Sequence, residues 1–171
     1  MFPLYQQHYM TQSDIQHHLG LLFSSARGNV LELGTRSGVS TAALLAGVER
    51  HGGHVWSVDL DANCINLFEH PQWTFTCGDS CDPEIAEFLS IRGERECFDL
   101  IFIDTTHQYE ITQAELALWG PHLKPGGTIL LHDTETFPGV RRAAQEFADA
   151  HGWDSTFVLP CHGMGILVSP E

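Results

Sequence analysis

The chain has 171 residues, 43% of them hydrophobic and 18% charged, a composition that is typical of a folded globular protein and excludes wholesale disorder. Its 22 acidic residues against 8 lysines and arginines give a formal net charge of −14, which would repel a phosphate backbone, so no nucleic-acid partner is expected. The five cysteines include no CxxC pair, so neither a disulfide framework nor a zinc knuckle is predicted.

The length fits one domain with a core of ordinary size. We predict a single domain over residues 1–171, in which residues 1–27 form a helical N-terminal extension and residues 28–171 form the core. No apolar run reaches membrane-spanning length, and no basic leader with an apolar core opens the chain. We therefore expect no membrane partner and a cytoplasmic location.

Hydrophobic periodicity divides the chain into alternating helices and strands. Helices are predicted over residues 11–26, 37–50, 61–70, 83–90 and 108–119, and between Pro138 and Gly152. Strands are predicted over residues 29–33, 54–59, 73–77, 98–104, 128–131, 155–159 and 165–168, with a loop over 121–127. This alternation predicts an α/β fold with an open, mostly parallel sheet.

The segment LELGTRSGVS, residues 31–40, joins the first strand to the next helix and is the first candidate site. Gly34 and Gly38 let the backbone turn tightly and let a ligand approach main-chain N–H groups without a Cβ in the way. Glu32, just inside the strand end, can receive a cationic ammonium group directly or through water. For this segment alone, the alternative is an ordinary strand-to-helix turn whose glycines serve packing.

Acidic residues follow one predicted strand end after another. They are Glu32, Asp59, Asp79, Asp104 and Asp133. In a parallel sheet the carboxyl ends of the strands share one edge, and ligands bind in the crevice outside it. Five acids at one edge would repel one another without cations or hydroxyl donors between them, so we predict a ligand site there.

Asp59 indicates the class of ligand. It ends the strand after the glycine turn, where an acid can accept hydrogen bonds from both ribose hydroxyls. A pyrophosphate is disfavoured because the turn lacks the middle glycine of a dinucleotide fingerprint and because Glu32 would add negative charge beside it. A nucleoside with an ammonium group and no phosphate fits better, and S-adenosylmethionine belongs to that class.

From Asn29 onward, nearly the whole chain resembles the class I S-adenosylmethionine-dependent methyltransferases. LELGTRSGVS is similar to the family's first motif, Asp59 in WSVDLD to its ribose-binding acid, and CGDS, with Asp79 and Ser80, to its adenine contact. FIDTTHQYE, LWGPHLKPGGTILLHDTE and PGVRRAAQEF resemble the small-molecule O-methyltransferase branch that is cephalosporin-hydroxylase-like, or of the Methyltransferase-24 type. The resemblance implies a Rossmann-like seven-stranded sheet with helices on both faces, parallel except for the final strand, and a reversed hairpin from the last two strands.

The resemblance and the strand-end pattern together predict contacts with S-adenosylmethionine as cofactor. The expected residues are Glu32, Gly34, Thr35, Arg36, Gly38, Ser40, Asp59, Leu60, Asp79, Ser80 and Asp104. The implied reaction is methyl transfer to a small-molecule acceptor, with a hydroxyl oxygen as the preferred acceptor atom.

A hydroxyl acceptor has to lose a proton, and two constellations can assist it. In the first, Asp104, His132 and Asp133 hold a divalent metal; two carboxylates suit magnesium, whereas a histidine shifts the preference toward manganese, iron or zinc. In the second, His107 is the general base, with Asp104 three residues before it at the catalytic centre. The alternative is that His107 only caps the following helix or forms hydrogen bonds at the rim of the site.

Two other functions stay open: a cofactor-binding module that has lost catalysis, and an NAD-dependent oxidoreductase. Residues 2–5, Tyr9 and residues 134–137 are the candidates to contribute to an acceptor pocket, and Tyr109 either lines that pocket or packs as an ordinary helix residue. The aromatic N-terminus would be exposed on so small a core, which predicts a homodimer.

Overall fold

The fold is built on one seven-stranded sheet in a computed structural model that describes residues 1–89 and 97–171. The strands are β1 (Gly28–Leu33), β2 (Gly53–Asp59), β3 (Trp73–Cys77), β4 (Phe98–Ile103), β5 (Leu123–His132), β6 (Asp154–Val158) and β7 (Met164–Val168). The α-helices are α1 (Phe2–Tyr9), α2 (Leu19–Ser25), α3 (Val39–His51), α4 (Pro83–Leu89), α5 (Tyr109–Trp119) and α6 (Pro138–His151). The predicted end of the fourth helix at Ser90 lies outside the described residues.

The strand order is β3-β2-β1-β4-β5-β7-β6. The first five strands pair in parallel, and β7 lies between β5 and β6 and runs antiparallel to both. This confirms the predicted Rossmann-like architecture with a reversed terminal hairpin. The chain leaves β1 toward β2 on one side and later enters β4 on the other, so the order of the strands switches between β1 and β4. Ligands bind at such a switch in open α/β sheets.

Helices cover both faces of the sheet. On one face, α1, α2 and α3 cover a core that includes Leu19, Leu22 and Leu44. On the other face, α5 and α6 cover a core that includes Trp119 and Phe98. Because both faces are buried, the central strands are almost wholly apolar, as the run Phe98–Ile103 illustrates. None of the helices in the described part of the chain combines the length and the apolarity needed to cross a membrane.

Three predicted elements are wrong in detail. The helix expected over residues 11–26 is confined to Leu19–Ser25, which a single 3₁₀ turn at Gln16–His18 precedes. Ile15 is still buried, so the helical spacing marked buried positions correctly although the backbone there is not α-helical. The helix Phe2–Tyr9 lies within the predicted helical extension over residues 1–27, although no separate helix was predicted there; its Tyr5 stacks on Phe23 at 4.8 Å, a contact that sequence spacing does not reveal.

The other two of these three elements lie near turns. The helix expected over residues 61–70 is only a 3₁₀ turn at Ala62–Asn66, capped by the Asp61 side chain. The loop expected over residues 121–127 mostly belongs to β5, which begins at Leu123. A register shift between Phe98 and Leu100 accommodates the Pro-Gly-Gly sequence as an irregularity within the β4–β5 pairing.

Candidate active site

The glycine turn lies at the switch between β1 and β4. Gly34 has φ +90°, and a Cβ there would lie 2.1 Å from the carbonyl oxygen of Asp104. Gly38 has φ +77°, and a Cβ there would lie 2.7 Å from the Phe68 ring. Both positions therefore need glycine for packing as well as for conformation. The packing alternative is thus part of the explanation of this turn.

Asp59 holds the glycine turn in place. Its Oδ2 accepts hydrogen bonds from the backbone N–H groups of Thr35 and Arg36 at 2.7 and 2.9 Å, and its Oδ1 accepts from Asp61 N–H at 2.9 Å. Burial opposes ionisation of this carboxyl, but these backbone donors outweigh it and lower the pKa of Asp59. Asp59 is therefore a carboxylate that fixes the loop beside which it would bind a ribose.

Two adjoining cavities follow the edge of the sheet and share Gly34, Arg36, Asp104 and Thr105. One, of about 370 Å³, extends from the glycine turn to His107 and Asp133. The other, of about 420 Å³, extends past Asp59 and Leu60 to Asp79, Ser80 and Ile111. Together they form one crevice at the ends of β1, β2, β3 and β4 that is lined by the predicted cofactor residues other than Glu32 and Gly38.

The crevice contains a buried hydroxyl group to which S-adenosylmethionine could hydrogen-bond. Thr35 is 2% exposed and lines the 370 Å³ cavity, yet its Oγ1 has no hydrogen-bond partner among the residues that the structure describes. A buried hydroxyl without a partner is costly, so a polar ligand group is expected beside it. The amino and carboxylate groups at the methionine end of the cofactor are suitable partners.

Glu32 is placed differently from the predicted ammonium receptor. Side chains alternate along β1, so Glu32 lies beneath α3 rather than at the rim, and the residue is 0% exposed. Ser40, Thr41 and Ser57 donate hydroxyl hydrogen bonds to its two oxygens at 2.6–2.8 Å. Burial, partly offset by these donors, raises the pKa of Glu32 to about 7. In this arrangement the direct contact with a ligand is not available, and Glu32 braces the start of α3 instead.

Two other predicted cofactor residues direct their side chains elsewhere. The hydroxyl of Ser40 is used by Glu32, and the guanidinium of Arg36 pairs with Asp14 at 3.1 Å, with 85% of the Arg36 side chain exposed. Both residues line the crevice, so their contribution to a ligand would come through backbone or partial contacts. Arg36 also has φ +48°, which lets its N–H group face Asp59.

Four titratable side chains converge where β4 and β5 end. His107 Nε2 lies 3.1 Å from Asp104 Oδ1 and 2.9 Å from Asp133 Oδ2. His132 Nδ1 lies 3.5 Å and 3.3 Å from the same two oxygens. His107 and Asp133 have φ values of +57° and +64°, uncommon for residues other than glycine and often found at functional sites. The residues of both predicted constellations are therefore members of a single cluster.

The orientation of the His132 ring is fixed by a backbone carbonyl group. The ring is 1% exposed, and its Nε2 lies 3.0 Å from the carbonyl oxygen of Cys161. A carbonyl only accepts, so Nε2 carries a proton and Nδ1 faces the two carboxylates. In metal sites a ligating histidine commonly donates its other N–H to a carbonyl in this way. Sequence spacing could not have indicated the Cys161 carbonyl, because it acts through the backbone.

The cluster is strongly coupled electrostatically. Hydrogen bonds to Asp104 and Asp133 raise the pKa of His107 to about 9. Burial lowers the pKa of His132, but the same two carboxylates outweigh it and raise that pKa to about 10. The carboxyls respond in the opposite sense: burial opposes their ionisation, and the two histidines nonetheless lower the pKa of Asp104 and of Asp133. At neutral pH, both histidines are therefore counter-ions of the acids.

The donor set also fits a divalent cation. Ligand atoms of Asp104, His107 and Asp133 all lie within 4.8 Å of one another. The set agrees with the predicted metal ligands Asp104 and Asp133, and it includes His107, which the sequence reasoning assigned to proton transfer instead. Nδ1 of His132 faces the same oxygens, so the set mixes nitrogen and oxygen donors; the carboxylates suit magnesium or manganese, and the imidazole nitrogens shift the preference toward manganese or zinc.

Two further side chains lie next to crevice residues: Phe137, which belongs to the predicted acceptor-pocket segment 134–137, and Glu115, which sequence reasoning missed. Phe137 stacks on the His107 ring with centroids 4.7 Å apart. Glu115, on α5, is 0% exposed and accepts hydrogen bonds from Ser80 and Thr105. Burial raises the pKa of Glu115, and the two hydroxyl donors counter that shift. An acid four residues before the apolar Trp119, and so on the same helical face, was the available signal for Glu115.

Tyr109 does not line either cavity. Its hydroxyl contacts the Glu146 carboxylate, and the Arg142 guanidinium lies 4.5 Å from the ring centroid. This supports the packing alternative for Tyr109. The N-terminal aromatic residues lie over α2 and α3 on the helical face, where Phe2 and Phe23 rings are 5.7 Å apart.

The sheet order, the glycine turn and the acid at the end of β2 define the class I S-adenosylmethionine-dependent methyltransferase fold. The family model Methyltransf_24, described as a methyltransferase domain, matches residues 31–134, more than half of the chain. The chain therefore belongs to this methyltransferase family. The match begins at the glycine turn and ends just past Asp133, so it spans both the cofactor residues and the histidine–aspartate cluster.

Solved structures share the fold at low sequence identity. Cofactor-bound Rv0187 from MTB has a TM-score of 0.73 and 18% identity over 99% of this chain and 88% of its own. An O-methyltransferase from Bacillus cereus in complex with SAH has a TM-score of 0.67 and 16% identity over 98% and 89%. MycE, from the mycinamycin biosynthetic pathway, in complex with Mg, SAH and mycinamycin VI, has a TM-score of 0.69 and 16% identity, and the chain spans 53% of it. A comparison with curated proteins gave no match.

Proposed function

We propose that this protein transfers the methyl group of S-adenosylmethionine to a hydroxyl oxygen of a small-molecule acceptor. The observation that carries the proposal is the continuity of the crevice: one cavity is lined both by the glycine turn and by Asp104, His107 and Asp133. A cofactor held at the turn and at Asp59 would therefore end beside the cluster that can handle a proton. Methyl transfer in line requires that proximity.

The cofactor residues act by position. Asp59 fixes the glycine turn and would accept the ribose hydroxyls, while Leu60, Asp79 and Ser80 line the base end of the crevice. S-adenosylmethionine bound there supplies an electrophilic methyl group on a sulfonium. The acidic rim suits that cation, because the net charge of the chain is −14 and the pKa values of Asp59, Asp104 and Asp133 are lowered.

His107 is the proposed proton acceptor. It lies in the loop after β4, is partly exposed at 26% of its side chain, and faces the same cavity as the glycine turn. Its carboxylate partners keep it protonated at neutral pH, so it accepts a proton only from the fraction in which the imidazole is neutral. Asp104 orients the ring and would stabilise the imidazolium that forms.

A divalent cation is the proposed second component, with magnesium or manganese as the first ions to test. Asp104 and Asp133 would hold it, with His132 or His107 as nitrogen ligand. The cation would supply positive charge that lowers the pKa of an acceptor hydroxyl. MycE is described with Mg in its complexes, which supports testing this ion first.

The proposal is tested by calorimetry and turnover together. We expect S-adenosylhomocysteine to bind. We also expect S-adenosylmethionine to be converted to S-adenosylhomocysteine when a catechol, a phenol or a sugar is present as hydroxyl acceptor. Binding of NAD instead would contradict the methyltransferase proposal. Binding of S-adenosylhomocysteine without turnover of any acceptor class would favour the non-catalytic binding module. Activity that survives exhaustive chelation would exclude an obligatory ion and leave His107 as the principal catalyst.

The remaining parts of the proposal concern partners and location. A small-molecule acceptor would enter beside Phe137, whose ring covers His107 and is 40% exposed. The exposed Phe2, Tyr9 and Met10 support the predicted homodimer, for which light scattering at micromolar concentration is the test. We also retain the prediction of a cytoplasmic location without a nucleic-acid partner.

A further inference from the structure

A buried acid that the proposed reaction does not use lies behind the base end of the crevice. Glu115, in the middle of α5, is 0% exposed. A carboxylate is removed from water only at a large cost unless hydrogen bonds satisfy it. Ser80 Oγ donates to Glu115 Oε1 at 2.6 Å, and Thr105 Oγ1 donates to Glu115 Oε2 at 3.1 Å. Each carboxylate oxygen is thus matched to one hydroxyl.

Both hydroxyl partners belong to the wall of the 420 Å³ cavity. Ser80 follows β3 and Thr105 follows β4, so Glu115 ties two walls of the cavity together from behind. The same helix holds Ser80 a second time, because Trp119 Nε1 donates to the Ser80 carbonyl oxygen at 2.7 Å. Residues 115 and 119 lie one turn apart on one face of α5, so Ser80 is fixed in both its side chain and its backbone.

The position of Ser80 in the cavity assigns it to the base of a bound nucleoside. Asp59, which would hold the ribose, lines the same cavity as Leu60, Asp79 and Ser80. The base of a nucleoside held at Asp59 would extend away from the glycine turn. It would therefore meet Asp79 and Ser80.

A serine hydroxyl has one proton and two lone pairs. The Ser80 proton is committed to Glu115, so Ser80 Oγ can offer a ligand only acceptor lone pairs. The neighbouring Asp79 carboxylate is also an acceptor, and its Oδ1 already takes the Cys81 N–H at 2.9 Å. The side chains of this end of the cavity therefore present acceptors to the purine edge and call for a donor on the ligand.

We infer that Glu115 is a positioning residue that sets base specificity: by holding the Ser80 proton, it makes the site select a 6-aminopurine over a 6-oxopurine. The inference rests on the proposed cofactor site. The inference places Ser80 Oγ opposite position 6 of the purine, where adenine offers an amino donor and hypoxanthine a carbonyl that would face lone pairs; the N1–H donor of hypoxanthine lies at the neighbouring ring position. A buried acceptor left without a donor weakens binding by about 10- to 100-fold.

The test compares S-adenosylhomocysteine with its 6-oxo counterpart, S-inosylhomocysteine, by calorimetry. We expect the parent protein to prefer the adenosyl compound by about 10- to 100-fold. Glu115→Met frees the Ser80 proton, which can then be donated to the 6-oxo group, so the ratio should fall to within about threefold. Glu115→Gln keeps a carbonyl acceptor for Ser80 and should retain most of the preference. Glu110→Gln, exposed on the same helix, is the matched control.

The ratio of affinities separates positioning from structural support, because general damage to the pocket weakens both compounds alike. A folded Glu115→Met variant with the parent ratio would overturn the inference, as would a parent protein that binds both compounds equally. If Glu115→Met does not fold, the affinity ratio is measured in Ser80→Ala instead. An unchanged ratio in that variant also overturns the inference. If the parent protein binds neither compound, the proposed cofactor site itself fails, and that result is distinct from a lost preference.

Discussion

The two halves of the crevice satisfy their acids in different ways. On the β1–β3 side, Asp59 and Asp79 accept hydrogen bonds from backbone N–H groups, two of which lie two residues further along the chain. On the β4–β5 side, Asp104 and Asp133 are satisfied by the imidazoles of His107 and His132. Backbone amides keep their protons at every accessible pH, whereas imidazoles do not.

This difference indicates which half of the crevice is suited to binding and which half is suited to chemistry. The β1–β3 half is suited to hold a ligand in the same way over a wide pH range, because its donors do not titrate. The β4–β5 half can exchange its protons for a cation or for an acceptor proton. Binding and chemistry should therefore respond separately to mutation and to pH.

The largest effect is expected on the chemical half. His107→Ala should lower turnover by about 10²- to 10⁴-fold, the range that general-base catalysis contributes. Affinity for S-adenosylhomocysteine should change by less than about threefold, because His107 lines the 370 Å³ cavity whereas Asp59 lines the adjoining 420 Å³ cavity. His17→Ala, at an exposed histidine, is the control. Equal loss of binding and turnover in His107→Ala would show that the two halves are not separable.

The next effect should appear in the binding half. Asp59→Ala removes the acceptor for the ribose hydroxyls and releases the N–H groups of Thr35 and Arg36. Two charge-assisted hydrogen bonds contribute enough to predict a loss of about 100-fold in affinity for S-adenosylhomocysteine, measured by calorimetry. Asp149→Ala, an exposed acid on α6, should leave the affinity unchanged. A loss below about threefold in a folded Asp59→Ala variant would refute the assignment.

A pH titration sharpens the comparison. The pKa of His107 is raised to about 9, so about 1% of it is neutral at pH 7. Without added metal, kcat/KM should rise about tenfold per pH unit from 7 to about 9, while affinity for S-adenosylhomocysteine stays level. A profile that is flat over this interval would argue against His107 as the base.

Stability should change in the opposite direction. Because His107 and His132 have raised pKa values, their protonated forms contribute stability that is complete below pH 6.5. That contribution is lost as the pH rises through about 9 to 10. Chemical denaturation at pH 7 and pH 10 should therefore show a smaller free energy of unfolding at pH 10, and His107→Ala should reduce the difference.

The smallest effect concerns Arg36. Its side chain is 85% exposed and pairs with Asp14 at the surface, a kind of contact that contributes about 0–1 kcal/mol. Arg36→Ala keeps the backbone N–H that bonds to Asp59, so affinity for S-adenosylhomocysteine should change by less than about twofold. A tenfold loss would instead mean that the guanidinium turns inward onto the ligand.

Much of the sheet was predictable because strand periodicity and turn chemistry act locally. Trp73–Cys77 was predicted to the residue, and the other strands of the parallel set were found where alternation indicated them. Helix prediction was wrong where packing decides: in α1, Tyr5 stacks on Phe23, and in the segment 61–70 only the 3₁₀ turn Ala62–Asn66 forms, while Phe68 packs on Trp73. Local propensity is a weak guide when tertiary contacts supply the stability.

The sequence by itself determined the glycine turn and the strand-end acid of the proposed cofactor site. Gly34, Gly38 and Asp59 are readable because their roles follow from backbone conformation and from their places at successive strand ends. Only the tertiary structure decided that Asp104, His107, His132 and Asp133 form one coupled cluster, that Glu32 faces α3, and that Glu115 lies behind Ser80. Those arrangements depend on side chains from distant segments meeting in a buried, low-dielectric space, where direction and partner, not spacing, set their charge and their role.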